Sequence, residues 1–383
     1  MKIVLPDWNN NILNISSSFA KYIGVDNSGY TTIPELDSEL SKNYKNVVFM
    51  LLDALGTRAL EQHLKEDSLL RRNFVKSVTS TFPSTTTNAT TTVTRMCYPG
   101  EHNWLGWSLY FDEEDRCIDI FLNTDSYTGE VVENFDTNKL LPGTYFFERE
   151  RERKDISVST VCPTYFREGK GCKSFAYENE EQLFIRLNEA LNEEGNKFIY
   201  CYCPQPDATM HMCGVSSEKT HTMINYLNDN IEKVLQQNED TLIVITADHG
   251  QVDITTKAEF YLDKRFLALF ERPLCLDSRA VSVKLKEGVT KEQFISEFNR
   301  NKRYSENFTL LSVDELIKQN VFGKSNETTK RLLGDYILVG NDNGCYAVTK
   351  ENDIPFLGAH SGLTEREMYV PLIMLRSKKW KQK

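Results

Sequence analysis

The chain has 383 residues, a formal net charge of -10, 40% hydrophobic and 26% charged residues. That length suits one large α/β domain carrying an insertion, or two domains, and the composition is that of an ordinary globular protein. The acidic balance excludes a nucleic-acid groove as the main surface, because polymeric phosphate needs clustered Lys and Arg. No apolar run reaches membrane-spanning length, so no membrane partner is expected. Residues 1–30 lack a basic start followed by an apolar core, so no signal peptide and a cytoplasmic location are expected. The nine cysteines have no framework spacing and read as reduced packing residues.

In chain order, residues 1–45 are polar with one apolar patch at Ile12–Ile15, and read as an irregular N-terminal extension packed on the core. Asn46–Asp53 is an unbroken apolar run ending in a carboxylate, the pattern of a strand buried on both faces. A helix is predicted from Ala54 to Lys65. Ser77–Thr81 reads as extended, and the Ser/Thr cluster after Pro83 suits a helix start. Residues 103–150 read as a loop-rich excursion over the site, with a short charged helix at Thr144–Lys154. Strands follow at Ile156–Val161 and Lys197–Cys203. Helices are predicted at Gln182–Glu194 and Ser217–Gln237, the latter with Met223, Leu227, Ile231 and Val234 at helical spacing. Thr241–Thr246 is a second fully apolar strand, ending in Ala247-Asp248-His249-Gly250.

Strands alternating with helices predict a mostly parallel central sheet with helices on both faces. From 266 to 343 the pattern changes to a small inserted α+β cap, leaving 46–265 and 344–383 as the catalytic core. The tail beyond Lys378 is basic.

The Asp-His at the end of Thr241–Thr246 could by itself be a capped strand end. Four further segments supply matching chemistry. Asp53 ends the first strand. Asp207 and His211 stand four apart, on one face if helical. His360 sits between Gly358 and Gly362. Thr85 and Thr86 offer hydroxyls at a helix start. Three carboxylates and three imidazoles suit two divalent metal ions, with Zn2+ favoured by mixed Asp/His ligation and Mn2+ as a substitute. Two such ions suit in-line displacement at phosphorus.

Taken in order, these segments resemble the alkaline phosphatase superfamily, and within it the type I phosphodiesterase/nucleotide pyrophosphatase family. The matching pieces are Leu51-Leu-Asp53-Ala-Leu-Gly56, Thr81-Phe-Pro-Ser-Thr-Thr86, Tyr98-Pro-Gly-Glu-His102, Asp207-x-x-x-His211, Ala247-Asp248-His249-Gly250 and His360-x-Gly362. The resemblance implies an alkaline phosphatase-like core and hydrolysis of a small phosphodiester or phosphoanhydride through a phospho-threonine. It implies that Asp53, the nucleophilic Thr, Asp248 and His249 hold one metal, and Asp207, His211 and His360 the other. The family pattern Phe-Pro-Ser-x-Thr puts the nucleophile at Thr86; Thr85 is the alternative, since adjacent threonines hide a one-residue slip. The family's His-Gly reads His102-Asn103 here, which makes Asn103 and Trp104 candidate substrate contacts, with a structural role as the other reading.

His102 is expected to pack, and His63 and His221 to be solvated on helix surfaces. Cys97-Tyr-Pro-Gly-Glu101 lacks the Arg of a sulfatase signature. The competing functions are a phosphomonoesterase, a phosphonate hydrolase or phosphomutase on the same core, and a non-catalytic metal- or ligand-binding protein. No Arg stands beside Thr86 to clamp a second phosphate charge, which favours diesters. The Thr-rich segment argues against a mere binder. The expected partner is a small phosphoester; the pattern carries no oligomeric signal.

Overall fold

The strands Asn46–Leu52 and Thr241–Thr246 lie side by side and parallel, with Val47 opposite Leu242 and Leu51 opposite Thr246. Every residue of both is buried, as an unbroken apolar run requires of a strand covered on two faces. The structure is a computed structural model and describes residues 3–166, 169–342 and 344–378; the basic tail at 379–383 lies outside them. Asn196–Cys203, Ile156–Pro163 and Lys173–Tyr177 extend the sheet on one side, all parallel. On the other side Tyr369–Arg376 runs antiparallel and is edged by Phe74–Thr79. The product is a seven-stranded, mostly parallel sheet.

Helices cover this sheet. Glu218–Gln237 buries Ile224, Leu227, Ile231, Val234 and Leu235 along one stripe. Glu180–Leu191 buries Leu183, Phe184, Leu187, Ala190 and Leu191. The N-terminal extension differs from its expected irregular form, because Ile12–Ile23 is a buried helix. Its Phe19 stacks on Phe49 with ring centroids 4.5 Å apart. Ser16-Ser17-Ser18 hides this helix in the sequence, yet the serines are buried. The Ser17 hydroxyl donates to the Tyr30 carbonyl at 3.0 Å, and Ser18 Oγ accepts from Ile33 N at 2.9 Å. Polar side chains satisfied in this way can line a core helix.

A second sheet, also seven-stranded, runs in the order Phe308–Ser312, Tyr336–Gly340, Ala280–Val283, Cys275–Asp277, Ser108–Phe111, Arg116–Asp119, Thr124–Asp125. Its pairings are antiparallel. The segment 103–150 is therefore not all loop: it supplies three short strands. Strands of four residues or fewer between turns give too little periodicity to be read from sequence. The charged stretch at Thr144–Lys154 forms only the 3₁₀ turn Phe146–Glu148.

A buried ion pair joins the second sheet to the core. The Arg279 guanidinium donates to Glu367 at 2.7 and 3.2 Å and to the carbonyls of Gly340, Asn341 and Cys345. Glu367 also accepts from Gly362 N at 2.8 Å and from the Thr364 hydroxyl at 2.7 Å. The loop that carries His360 is thus held from both sides. Among the described residues no helix is long and apolar enough to cross a membrane.

Candidate active site

Asp53 and Asp248 follow the carboxyl ends of two adjacent parallel strands, where open α/β sheets assemble their sites. The two turns come so close that only glycine fits: a Cβ on Gly56 would lie 2.8 Å from Gly250 Cα, and one on Gly250 would lie 2.0 Å from the Arg366 carbonyl oxygen. Asp248 Oδ1 accepts from Ala54 N at 3.1 Å and from His249 N at 3.0 Å, locking the strand ends together. The third carboxylate, Asp207, opens the helix Asp207–Cys213 beyond the strand Asn196–Cys203. One helical turn on, His211 Nε2 lies 3.3 Å from Asp207 Oδ1.

All three imidazoles share one arrangement. His211 Nδ1 lies 2.7 Å from the Gly358 carbonyl, His249 Nδ1 3.2 Å from that of Gly250, and His360 Nδ1 3.1 Å from that of Ser84. Each Nδ1 therefore carries a proton, and in the neutral rings Nε2 is left as a lone-pair donor. Burial lowers His211, but the facing Asp207 outweighs it and holds that ring above the ordinary imidazole range. The Nε2 atoms converge on carboxylates: His249 lies 3.5 Å from Asp53 Oδ1 and 3.3 Å from Asp248 Oδ2, and His360 lies 3.8 Å from Asp207 Oδ1. Two sets of side chains have ligand atoms within 4.8 Å of one another, Asp53/Asp248/His249 and Asp207/His249/His360.

The charges in this cluster fit divalent cations. Asp53 Oδ1 and Asp248 Oδ2 are buried with no hydrogen-bond partner, a costly state for a carboxylate oxygen unless a cation meets it. Burial, and then the Asp248 and Asp207 charges, push the Asp53 carboxyl well up; burial lifts Asp248 to about 7. Burial raises Asp207 too, but the facing His211 and His360 outweigh it and hold it low. Burial lowers His249 to about 3 and His360 well below the usual range. Oxygen and imidazole donors without thiolate match zinc or manganese.

The helix Thr86–Arg95 opens at the cluster with Thr85 as its N-cap residue. It is rich in poor helix formers, and the hydroxyls of Thr90 and Thr94 bond back to the carbonyls of Thr86 and Thr90. The two threonines point to different partners. Thr86 Oγ1 lies 3.2 Å from His249 Nε2 and 3.5 Å from Asp53 Oδ2, whereas the Thr85 hydroxyl donates to Asp277 Oδ2 at 2.7 Å.

A cavity of about 360 Å³ opens above Thr86, Asp207, His211 and His360. Asn103 and Trp104 do not border it. Asn103 is buried and accepts from the Thr329 hydroxyl at 2.7 Å, and Trp104 donates to the Leu141 carbonyl at 2.9 Å beneath Arg95. Asn103 thus meets the helix Glu327–Leu333 and Trp104 the segment at Leu141, while Trp107 lines the cavity. His102 packs against the Thr92 hydroxyl at 2.9 Å. His63 is buried rather than solvated, 2.8 Å from the Val215 carbonyl.

Three site residues escaped the sequence. The Tyr202 hydroxyl donates to Asp53 Oδ2 at 2.5 Å, the Gln251 amide donates to Asp207 Oδ1, and Asp277 lines the cavity. Alternation along the strand Asn196–Cys203 could have flagged Tyr202, since it lies between two cysteines facing the other way. Asp277 carries no local signal.

The mostly parallel sheet and the carboxylate–imidazole cluster at its strand ends define a class, the α/β proteins with a candidate metal centre at the carboxyl edge of the sheet. Within it, the family model of type I phosphodiesterase/nucleotide pyrophosphatase matches residues 47–362, and the chain belongs to that family. Among curated proteins none matches by sequence. Solved structures share the fold. Murine ectonucleotide pyrophosphatase/phosphodiesterase 5 superposes with a TM-score of 0.64 at 16% identity, over 87% of this chain and 91% of that one. An inactive threonine-to-alanine variant of that murine protein, in complex with AMP, gives 0.63 at 17% identity, covering 87% and 90%. Phosphonoacetate hydrolase from Sinorhizobium meliloti, in complex with phosphonoformate, gives 0.61 at 14% identity, covering 88% and 91%.

Proposed function

We propose that the protein is a two-metal hydrolase that cleaves a phosphodiester or phosphoanhydride of a small, nucleotide-like molecule through a phospho-threonine at Thr86. The observation that carries this reading is Thr86 Oγ1 at a helix start, 3.2 Å from His249 Nε2 and 3.5 Å from Asp53 Oδ2. Asp53, Thr86, Asp248 and His249 would hold one cation, and Asp207, His211 and His360 the second, zinc by donor type or manganese in its place. When bound, such cations neutralise phosphoryl oxygens and lower the pKa of hydroxyls in contact with them.

The chain's own groups do the rest. Tyr202 and Gln251 orient Asp53 and Asp207 by their hydrogen bonds. Backbone N–H groups at the start of Thr86–Arg95 favour negative charge on the phosphoryl group. Thr86 Oγ1 forms the bond to phosphorus while its proton passes to solvent, and the leaving oxygen departs with the electron pair of the broken P–O bond and is protonated by solvent. Water then cleaves the phospho-threonine, restoring the hydroxyl. The AMP held by the murine relative supports a nucleotide-like substrate; the phosphonoacetate hydrolase fold favours phosphonate cleavage as the second reading.

The test is turnover of bis-p-nitrophenyl phosphate, p-nitrophenyl phosphate and phosphonoacetate, with zinc or manganese, by wild type and Thr86→Ala. Diester turnover lost in Thr86→Ala is the expected result. Monoester preference would make the protein a phosphatase, and phosphonoacetate cleavage alone would favour the second reading. Activity indifferent to Thr86→Ala would remove the phospho-threonine.

A further inference from the structure

Asp277 lines the cavity together with Thr86 yet belongs to neither set of proposed ligands. The second sheet delivers it, at the end of the strand Cys275–Asp277, and the delivery is strained. Leu276, immediately before it, has φ of 97°, a conformation that a bulky side chain rarely adopts and that tends to mark functional positions. Gly106 makes room for that kink, since a Cβ there would lie 2.6 Å from Leu276 Cδ1 and 2.8 Å from its carbonyl oxygen. The Asp277 carboxylate is fixed by three donors, Thr85 Oγ1 at 2.7 Å, Ser278 N at 2.7 Å and Ser278 Oγ at 3.3 Å. Among the described residues no Lys or Arg forms an ion pair with it; His211 acts on it from the metal cluster, and Lys350, Asp119 and Asp353 are the other charged groups that line the cavity.

We infer that Asp277 is a charge gate: it rejects phosphoryl groups that keep two negative charges and restricts the site to monoanionic esters such as phosphodiesters. This rests on the hydrolase reading above. A phosphomonoester differs from a diester chiefly by one further charge on the non-bridging oxygens. A carboxylate that lines the same cavity as the nucleophile and is bonded to Thr85 beside it, in a partly water-excluded wall, opposes that charge. Discrimination by a repulsive group is an efficient route to specificity. Burial lifts the Asp277 carboxyl to about 6, so at pH 8 it is ionised. The simpler role, anchoring Thr85 at the helix start, makes a different prediction.

The experiment measures kcat/KM for bis-p-nitrophenyl phosphate and p-nitrophenyl phosphate at pH 8 with zinc, and inhibition of the diester reaction by inorganic phosphate. Wild type should prefer the diester. Asp277→Asn keeps an oxygen for the Thr85 hydroxyl but removes the charge; it should shift the ratio toward the monoester by about tenfold or more, and tighten phosphate inhibition similarly. Asp277→Ser is the second neutral variant, should the first fail to fold. Thr85→Val removes the anchor and keeps the charge, so its ratio should stay that of wild type. An unmoved ratio in both neutral variants, or a Thr85→Val ratio that moves as far as theirs, would overturn the gate while leaving the hydrolase reading intact. A wild type that prefers the monoester would overturn the gate and replace the diesterase reading by a phosphatase one. A wild type inert toward both esters with either metal would sink the hydrolase reading, and the gate with it.

Discussion

His249 stands between Asp53 and Asp248 with its Nε2 free to donate, and His360 stacks on it with ring centroids 3.8 Å apart. Neither ring gains from protonation in so buried a place, so both present neutral donors. If each cation depends on these groups, Asp248→Asn and His360→Ala should each lose about one metal per chain. Elemental analysis after dialysis reads this directly, and unchanged stoichiometry in both variants would refute two ions. Tyr202 acts one step further out, through its 2.5 Å bond to Asp53. Tyr202→Phe should weaken metal affinity by about tenfold or more. Titration against a zinc-buffered indicator checks it; equal affinity would leave Tyr202 a packing residue only.

At the scale of elements, the second sheet and the His360 loop meet on the Arg279–Glu367 pair, whose side chains are both fully buried. Breaking one partner strands the other charge, so Arg279→Met should cost about 3–5 kcal/mol in denaturant unfolding. The double variant Arg279→Met/Glu367→Leu should recover most of that loss; failure to recover would mean that the pair's hydrogen bonds, rather than the stranded charge, dominate. A second tie, Glu39 on the helix Pro34–Leu40, is pH-dependent. Burial raises its carboxyl, but the bonds from Arg376, Lys42 and Tyr44 outweigh that and hold it at about 2. The folded state thus favours the ionised form, and the stability it adds is present above the ordinary carboxylate range and lost as pH falls toward 2. Glu39→Gln should therefore be less stable than wild type at pH 7 and converge with it near pH 2, as followed by thermal unfolding across that range.

For the whole molecule, the proposed ligands come from five separated stretches: the ends of Asn46–Leu52 and Thr241–Thr246, the start of the helix Thr86–Arg95, the helix Asp207–Cys213 and the loop at His360. Cations that join them bind the folded chain and not the unfolded one. A cation at 100 times its dissociation constant adds about 2.7 kcal/mol. A chelator should accordingly lower the unfolding midpoint, and zinc should restore it. An unfolding midpoint indifferent to chelator would show that the cluster folds complete without metal.

The inner strands of the central sheet were legible because they are apolar on both faces, and runs such as Val47–Leu52 and Leu242–Ile245 admit little else. The half-exposed edge strand Lys173–Tyr177 carries no such run and was not read. The carboxylates and imidazoles that the fold brings together could be picked out because each sits at a strand end or in a short motif, where local sequence carries the geometry. The buried helix Ile12–Ile23 was not legible, because Ser17 and Ser18 find their partners, Tyr30 and Ile33, only in the loop that folds back on the helix. Nor was the role of Asn103 and Trp104, whose neighbours Thr329 and Leu141 lie far along the sequence. Residue chemistry and periodicity thus determined the core, its metal-ready carboxylates and imidazoles, and the threonine pair. Only the tertiary structure decided that Thr86 and not Thr85 faces that cluster, and that a second sheet assembled from two distant stretches sets Asp277 beside it. The reason is physical: a one-residue choice turns on where each hydroxyl finds its partner, and antiparallel strands of four residues or so gain their identity from pairing rather than from their own sequence.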